Sequence, residues 1–299
     1  MTDQKDTHNA RIIAIGNQKG GVAKSTNTVN LAAALGEAGH KCLVVDLDAN
    51  CGATRALGVP TKWMGSFEVL LGTEPIDELI ITTDPQEGTS LPKNVDLLPG
   101  NRMLEDFDEV FRQRNKFVSS IDTLADPLAS IQDQYDFILL DTAPNANSPT
   151  IAAYKCAHWF ILSTKPDKIS MEAMGDALQD IIAVRERGNS GLRLLGVVLS
   201  EAQARTRIAG HYIEQVKRDF ENVGESNAFA ATVSRAVIVP ESYEAGQSLF
   251  EFAPEHKVTD QYRELCSLVL ARVLGNDGQK AVGEIESKGG VELKEASGA

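Results

Sequence analysis

The chain has 299 residues, 42% of them hydrophobic, which is enough for one large α/β domain or two small ones. Its formal net charge of −13 argues against a uniformly basic nucleic-acid-binding protein. No apolar run reaches the roughly 18 residues of a membrane-spanning helix. The four cysteines are scattered without a C-x-x-C pair, so we interpret them as ordinary thiols in a reducing cytoplasm.

The first 50 residues predict a strand, a loop, a helix and a second strand. Apolar runs at 12–15 and 42–45 are typical of short buried strands. Between them, a glycine-bearing loop at 16–23 precedes a segment with helical apolar spacing at 25–37. This order indicates a βαβ unit with the loop at the N-terminus of the helix.

The loop at 16–23 has the composition of a phosphate-binding loop. Backbone N–H groups and the positive end of the helix dipole favour anions there. Lys24 could reach terminal phosphates, and the Ser25 hydroxyl could hold Mg²⁺. Gln18 and Ala23 occupy positions at which the strict P-loop pattern has glycine. A tight strand-to-helix turn without a ligand is the alternative interpretation.

Among the differences from the strict P-loop pattern, Ala23 is expected to have the largest effect on phosphate binding. If its position requires a positive φ, alanine costs about 1 kcal/mol and could misplace the phosphate-binding N–H groups. If Ala23 already lies in the first helical turn, the replacement is harmless. We favour the harmless arrangement.

A second signal lies at 135–144, where four apolar residues run into Asp141. A carboxylate at the end of a buried strand can hold Mg²⁺ through water, as in P-loop enzymes. Further strands are predicted at 95–98, 159–164 and 194–199, and helices at 170–184, 210–220 and 260–274. Residues 104–128 show mixed helical periodicity bounded by Pro127. The alternation predicts one doubly wound, mainly parallel sheet flanked by helices.

Residues 19–25, KGGVAKS, resemble the deviant Walker A loop, K-G-G-x-G-K-S/T, of the ParA/MinD ATPases. The preceding Asn17-Gln18 and the later Asp46-Leu47-Asp48 resemble the ParA branch of that family. Residues 48–54 read DANCGAT, where relatives usually read D-P-Q-G-N-A-T. The resemblance covers about residues 11–274 and implies a single P-loop domain.

The resemblance also implies roles for individual residues. Lys19 would reach across an ATP-sandwich dimer to the partner's phosphates, Lys24 would bind phosphate, and Asp48 would position or activate the attacking water. The implied nucleotide contacts are Gly20, Gly21, Val22, Ala23, Lys24, Ser25, Thr26 and Arg235. The implied metal site comprises Ser25, Asp46 and Asp141.

The charge is unevenly distributed along the chain. Residues 67–110 contain eleven acidic residues against two basic ones, a net charge of −9. Residues 185–218 contain seven basic residues against three acidic ones, a net charge of +4. The basic stretch could attract polyanions or could be ordinary solvated helix surface. Within the resemblance, the candidate DNA contacts are Lys217, Arg218 and Arg235.

Residues 1–10 and 275–299 are polar and are predicted to be disordered tails on either side of an ATPase domain at 11–274. The C-terminal tail lacks the basic amphipathic helix of a MinD-like membrane anchor, so we expect no membrane partner.

The resemblance implies a weak ATPase with Mg²⁺ and ATP as cofactors. It would form an ATP-dependent homodimer, bind DNA non-specifically, and be released when a ParB-like adaptor stimulates hydrolysis. The expected setting is the cytoplasm, in association with the nucleoid, for segregating a plasmid or chromosome or positioning another cargo. Two alternatives stay open: a ligase of the dethiobiotin synthetase kind, and a nucleotide-gated scaffold that scarcely hydrolyses ATP.

Overall fold

The computed structural model describes residues 9–61, 63–83, 90–114, 119–203, 206–220 and 228–275. The two predicted tails lie almost entirely outside these residues. Among the described residues, no helix has the length and apolar character needed to cross a membrane.

Seven strands form one parallel sheet with the order β3-β2-β4-β1-β5-β6-β7. Central strands of such a sheet are covered on both faces and are therefore apolar along their length. The strands are β1 (Arg11–Gly16), β2 (Cys42–Asp46), β3 (Val95–Leu98), β4 (Phe137–Asp141), β5 (Trp159–Thr164), β6 (Arg193–Ala202) and β7 (Phe229–Ser234).

Helices connect the strands and cover both faces of the sheet. They are α1 (Lys24–Glu37), α2 (Gly52–Ala56), α3 (Ser66–Leu71), α4 (Ile76–Leu79), α5 (Phe107–Arg114), α6 (Ala125–Ala129), α7 (Ser148–Cys156), α8 (Lys168–Arg187), α9 (Arg207–Phe220), α10 (Ile238–Glu244), α11 (Leu249–Phe252) and α12 (Lys257–Val273). Short 3₁₀ segments lie at Arg102–Asp106, Ser120–Asp122 and Gln132–Gln134.

Alternate residues of each strand enter two separate hydrophobic cores. In β1, Ile12 and Ala14 belong to a core with α5 to α9, whereas Ile13 and Ile15 belong to a core with α1, α2, α11 and α12. The period of two along a strand produces this division. The predicted fold, a doubly wound parallel sheet in a single domain, is confirmed.

Two parts of the chain differ from the sequence prediction. The helical region expected at 104–128 is divided into α5, two 3₁₀ segments and α6, and Pro127 lies inside α6 instead of ending a helix. The edge strand β7 was not predicted, because its residues FAATVS are only partly buried and carry no continuous apolar run.

Because all seven strands are parallel, their carboxyl ends meet at one edge of the sheet. The loop after β1, the aspartates after β2 and β4, and the residues after β5, β6 and β7 all gather there. Ligands of open α/β sheets bind at this edge.

Candidate nucleotide-binding site

The loop between β1 and α1 is built to leave backbone N–H groups available. It contains two left-handed residues, Gly21 with φ 69° and Ala23 with φ 66° and ψ 28°. No side chain of the described residues caps the N-terminus of α1. The N–H groups of the first turn of α1 therefore suit a bound anion.

The expectation that Ala23 lies in the first helical turn is wrong. Ala23 is the residue that precedes α1, and its backbone is left-handed. Left-handed backbone costs a non-glycine residue roughly 1–2 kcal/mol. The loop thus carries a local strain that the surrounding contacts must offset.

Lys24 is buried directly after this loop, only 6% exposed. Its Nζ donates a hydrogen bond to the Lys19 carbonyl oxygen over 3.3 Å. Burial lowers the pKa of Lys24, while Asp141 and Asp48 oppose that shift. An ammonium held in this position can neutralise phosphate charge.

Ser25 and Asp141 form a small oxygen-lined site beside Lys24. Asp141 is fully buried, and its Oδ1 accepts a 3.3 Å hydrogen bond from Thr28. In the part of the chain that the structure describes, no donor forms a hydrogen bond with its Oδ2, an uncommon state for a buried carboxylate oxygen. Glycine is required at 52, because a Cβ there would collide with Ser25 Oγ.

This arrangement fits Mg²⁺, which in nucleotide sites takes one or two protein ligands and completes its shell with phosphate and water. Among the described residues, no three His, Cys, Asp or Glu side chains are grouped to hold a metal ion without such help. The free Oδ2 of Asp141 and the Ser25 hydroxyl are the oxygens available for that purpose.

Hydrogen bonds already occupy both carboxylate oxygens of Asp46, so this side chain is less available to a metal ion than an unbonded carboxylate would be. Its Oδ2 accepts hydrogen bonds from Thr54 N (2.9 Å) and Thr54 Oγ1 (2.6 Å), and its Oδ1 accepts from Asp48 N (3.2 Å). Gly100 packs so closely against Asp46 that a Cβ would lie 2.9 Å from its carboxyl carbon. This aspartate therefore fastens the loop after β2 to the sheet.

Asp48 is two residues further on and is 8% exposed. Its Oδ1 accepts from Asn50 N (2.9 Å) and Asn50 Nδ2 (3.0 Å). Cys51, at the position where the family motif has glycine, adopts φ 52°. The loop after β2 thus contains a second left-handed, non-glycine residue near Ser25.

The carboxylates of Asp46, Asp48 and Asp141 share this interior with the ammonium of Lys24. Burial raises the pKa of Asp46 to about 6. Burial, with repulsion from Asp46, raises the pKa of Asp141 well above its ordinary value, and the Ser25 hydroxyl and Lys24 oppose that shift. The site therefore has an excess of negative charge that a bound cation would relieve.

Lys19 does not point toward these carboxylates. Its Nζ donates to Ser170 Oγ over 2.7 Å and lies 3.4 Å from Asp167 Oδ1. Asp167 caps α8 by accepting from Ser170 N. Neither partner was predicted from the sequence, although Asp167 followed by Ser170 before an apolar helical pattern is a helix-start signal.

A cavity of about 630 Å³ adjoins the phosphate loop. Ala23 and Thr26 line it on the loop side, and Arg235 follows β7 on the other side. Its remaining walls come from the end of β6, from α10 and from Tyr262 of α12. The structure thus places Arg235 at the cavity that adjoins the predicted phosphate site, and the cavity has the size of a small-molecule site.

Lys217 and Arg218 lie elsewhere. Since β6 and β7 are parallel neighbours, the connecting helix α9 starts near the carboxyl edge of the sheet and ends near the opposite edge. Its 14 residues span about 21 Å. Both residues are in its last turn, so the structure does not group them with Arg235.

A parallel sheet with a phosphate loop after β1, a buried lysine and serine at the start of α1 and a buried aspartate at the end of β4 defines a P-loop nucleotide-binding protein. A family model described as an AAA domain matches residues 10–194. The chromosome-partitioning ATPase Soj of Thermus thermophilus is 31% identical over 88% of this chain and 96% of its own length.

Solved structures agree with this class. Cobyrinic acid a,c-diamide synthase from Mycobacterium smegmatis, with bound ADP and magnesium, superposes with a TM-score of 0.72 at 25% identity, covering 89% of this chain and 96% of that one. The septum site-determining protein MinD of Pyrococcus horikoshii, complexed with Mg-ADP, has a TM-score of 0.68 at 24% identity, covering 90% and 98%.

The chain belongs to the ParA/MinD family of P-loop ATPases. It is an ATPase, and its cofactors are ATP and Mg²⁺.

The strain at Ala23 predicts that Ala23→Gly stabilises the nucleotide-free protein by about 0.5–1 kcal/mol, since relief of the left-handed alanine exceeds the entropy that glycine adds to the unfolded chain. Urea denaturation measures the free energy of unfolding. The matched control, Ala32→Gly inside α1, should destabilise by about 1 kcal/mol. A stability equal to or below wild type for Ala23→Gly would contradict the strain.

The pKa of Asp46 predicts a pH dependence of stability. The folded pKa of about 6 exceeds the ordinary 3.8, so the folded state binds the extra proton between these values. The contribution of Asp46 to stability is therefore complete below pH 3.8 and is lost as the pH rises through 6. Asp46→Asn should lack this loss.

The measurement is the free energy of unfolding at a series of pH values, and the readout is the slope, not the absolute stability. The difference between Asp46→Asn and wild type should shift in favour of the variant as the pH rises through this window. Asp77→Asn, an exposed acid in α4, is the control. Parallel curves for wild type and Asp46→Asn would show that folding does not change the pKa of Asp46.

Proposed function

We propose that this protein is a partition ATPase. In this proposal it forms an ATP-sandwich homodimer, binds DNA non-specifically in that state, and is released when a ParB-like adaptor stimulates hydrolysis. The observation that carries the proposal is the position of Lys19, a second lysine in the phosphate loop. Its ammonium points away from the carboxylate cluster of its own chain and lies at the start of α8. Relatives named for chromosome partitioning, including Soj at 31% identity, support it.

The geometry suggests a division of roles within one site. Backbone N–H groups from Gly20 to Thr26 and the Lys24 ammonium would bind the phosphates. Ser25 and Asp141 would hold Mg²⁺, with Asp46 behind them fixing the loop after β2. Bound Mg²⁺ supplies charge neutralisation at the phosphates. The carboxylate of Asp48 would orient the attacking water, and the cavity beside Arg235 would hold the base.

Dimer formation would exchange the contacts of Lys19. In the single chain its ammonium is shared by Asp167 and Ser170, and its side chain is 29% exposed. To reach a phosphate on a partner subunit, Lys19 would leave both groups. Because Asp167 caps α8 and Ser170 lies in its first turn, the start of α8 would sense whether the dimer has formed.

The charge asymmetry of the sequence has a spatial counterpart that supports a DNA-binding face. Much of the acidic stretch lies at the β3 edge of the sheet and the basic stretch lies toward β7. Six strand spacings separate these edges by about 29 Å. On α9, Arg207, His211 and Arg218 share one exposed face. We propose that this face meets the phosphate backbone.

We further propose that residues 11–274 form the ATPase domain, and that the protein works in the cytoplasm on the nucleoid. No membrane partner is part of this proposal.

A small-molecule ligase is the second candidate, because cobyrinic acid a,c-diamide synthase shares the fold at 25% identity. In that case a small carboxylic acid would occupy the carboxyl edge beside the phosphates. ATP turnover that required such an acid, and was indifferent to DNA, would favour the ligase.

The central experiment measures retention of the protein on a non-specific DNA duplex with ATP, ADP or no nucleotide. Wild type should be retained with ATP only, and retention should fall steeply with salt. Lys19→Ala should lose retention while still binding ATP. The matched control is Lys168→Ala, which removes an exposed lysine at the start of α8.

If both lysine variants lost DNA retention, the loss would be explained by the removal of one positive charge and not by the position of Lys19. Retention by neither wild type nor variants, with ATP binding intact, would reject the partition function and bring the ligase or scaffold forward.

Arg218 and Arg235 should behave differently, because the structure separates them. Arg218→Ala should weaken DNA binding and lower the slope of log affinity against log salt by about 0.9, the value for one phosphate contact, with ATP affinity unchanged. Arg235→Ala should weaken ATP binding, and its DNA retention should recover at saturating ATP. The control is Arg114→Ala, an exposed arginine of α5. Identical effects of Arg218→Ala and Arg235→Ala would contradict the separation.

A further inference from the structure

A network of buried polar side chains lies beneath the phosphate loop and the adjoining cavity. Its centre is Asn27 of α1, which contacts Ser163 of β5, Ser200 of β6 and Tyr262 of α12. All four side chains are at most 1% exposed. Four elements that are distant in sequence thus meet at one amide.

The hydrogen bonds of this network have only one consistent direction. Ser163 Oγ is 2.6 Å from the Val22 carbonyl oxygen and must donate to it. Ser163 Oγ therefore accepts from Asn27 Nδ2 at 2.8 Å, which fixes the orientation of the amide. The second N–H of Asn27 donates to Ser200 Oγ at 2.9 Å, and Tyr262 donates its hydroxyl proton to Asn27 Oδ1 at 2.8 Å.

Ser163 fastens both ends of the phosphate loop. Its hydroxyl binds the Val22 carbonyl just before left-handed Ala23, and its own carbonyl accepts from Asn17 Nδ2 at 2.8 Å. Asn17 Oδ1 in turn accepts from Lys19 N at 2.9 Å. A strained residue persists only where its surroundings determine the backbone, and these contacts supply that determination.

The other end of the network touches the cavity, because Ser200 and Tyr262 both line it. Among the described residues, the one acceptor near the Ser200 hydroxyl proton is Asn27 Oδ1, at a long 3.3 Å. It can therefore turn toward an acceptor in the cavity without breaking a short bond.

We propose that Asn27 is a positioning residue that couples the cavity wall, through Tyr262 and Ser200, to the phosphate loop, through Ser163. The coupling rests on the proposed placement of the base in the cavity and of the phosphates in the loop. Occupation of the cavity then orders the loop, and loss of the Tyr262 hydroxyl loosens phosphate binding although Tyr262 lies at the base end. Asn27 itself touches no ligand.

The test separates the two ends of the ligand by using Mg²⁺ with inorganic tripolyphosphate, which has phosphates but no base. Its affinity is measured by displacement of a fluorescent ATP analogue. Tyr262→Phe should weaken tripolyphosphate about fivefold, the effect of about 1 kcal/mol for one hydrogen bond, and Ser163→Ala should weaken it at least as much. Thr259→Ala is the matched control, since its hydroxyl is buried in the same helix but binds the Ala253 carbonyl.

A ligand-free measurement keeps the inference separate from the proposed function. Hydrogen exchange of amides 19–26 should be faster in Tyr262→Phe and Ser163→Ala than in wild type, and unchanged in Thr259→Ala. This comparison stands even if wild type fails to bind ATP, a result that would reject the proposed function alone.

Three results would overturn the coupling. Tyr262→Phe could weaken ATP but not tripolyphosphate, which would make Tyr262 only a wall of the cavity. Thr259→Ala could match Tyr262→Phe, which would indicate general loosening of α12. Unchanged loop exchange in both network variants would show that the hydrogen bonds do not hold the loop.

Discussion

Burial of unbalanced charge is the constraint on which the rest of this structure depends. Asp46, Asp48 and Asp141 lie within the carboxyl edge of the sheet, next to the ammonium of Lys24. Burying charges that are not neutralised by opposite charges is unfavourable. The raised pKa values of Asp46 and Asp141 reflect this free-energy cost. The fold tolerates it because Thr54 and the backbone of Asp48 hold Asp46, while close packing at Gly52 and Gly100 keeps the oxygens in place. A site with this excess of carboxylate oxygen is prepared for a cation before any ligand arrives.

The features that sequence predicts are those that depend on neighbours along the chain. Apolar runs between glycines give the strands β1 to β6, and their alternation with helical patterns gives the parallel order of a doubly wound sheet. Lys24, Ser25 and Asp141 could be assigned to one site because parallel strands end at one edge. Strand β7 could not be predicted in this way. It lies at the edge of the sheet, where half-buried alanines and a threonine are enough to form a strand, and these residues show no apolar periodicity.

The parts of the site that sequence does not predict are made by contacts over long separations. Lys19 meets Ser170 across 151 positions, and Asn27 meets Ser163 across 136 and Ser200 across 173. A lone serine or asparagine in the sequence is as consistent with a turn as with a buried hub. Only the tertiary fold shows that Ser163 can donate in one direction alone, and only then does the polarity of the whole network follow.

Ala23 and Cys51 show how a sequence motif and tertiary hydrogen bonds together determine the backbone of a loop. Each stands where the family motif has glycine, and each nevertheless adopts the left-handed backbone that glycine favours. At Ala23, the Ser163 hydroxyl holds the preceding carbonyl; at Cys51, its own N–H binds the Asp48 carbonyl and its thiol binds the Ala49 carbonyl. A glycine motif is therefore a requirement on a backbone angle, which tertiary hydrogen bonds can meet with another residue. Where they do, the rigidity of the loop belongs to the network that surrounds it.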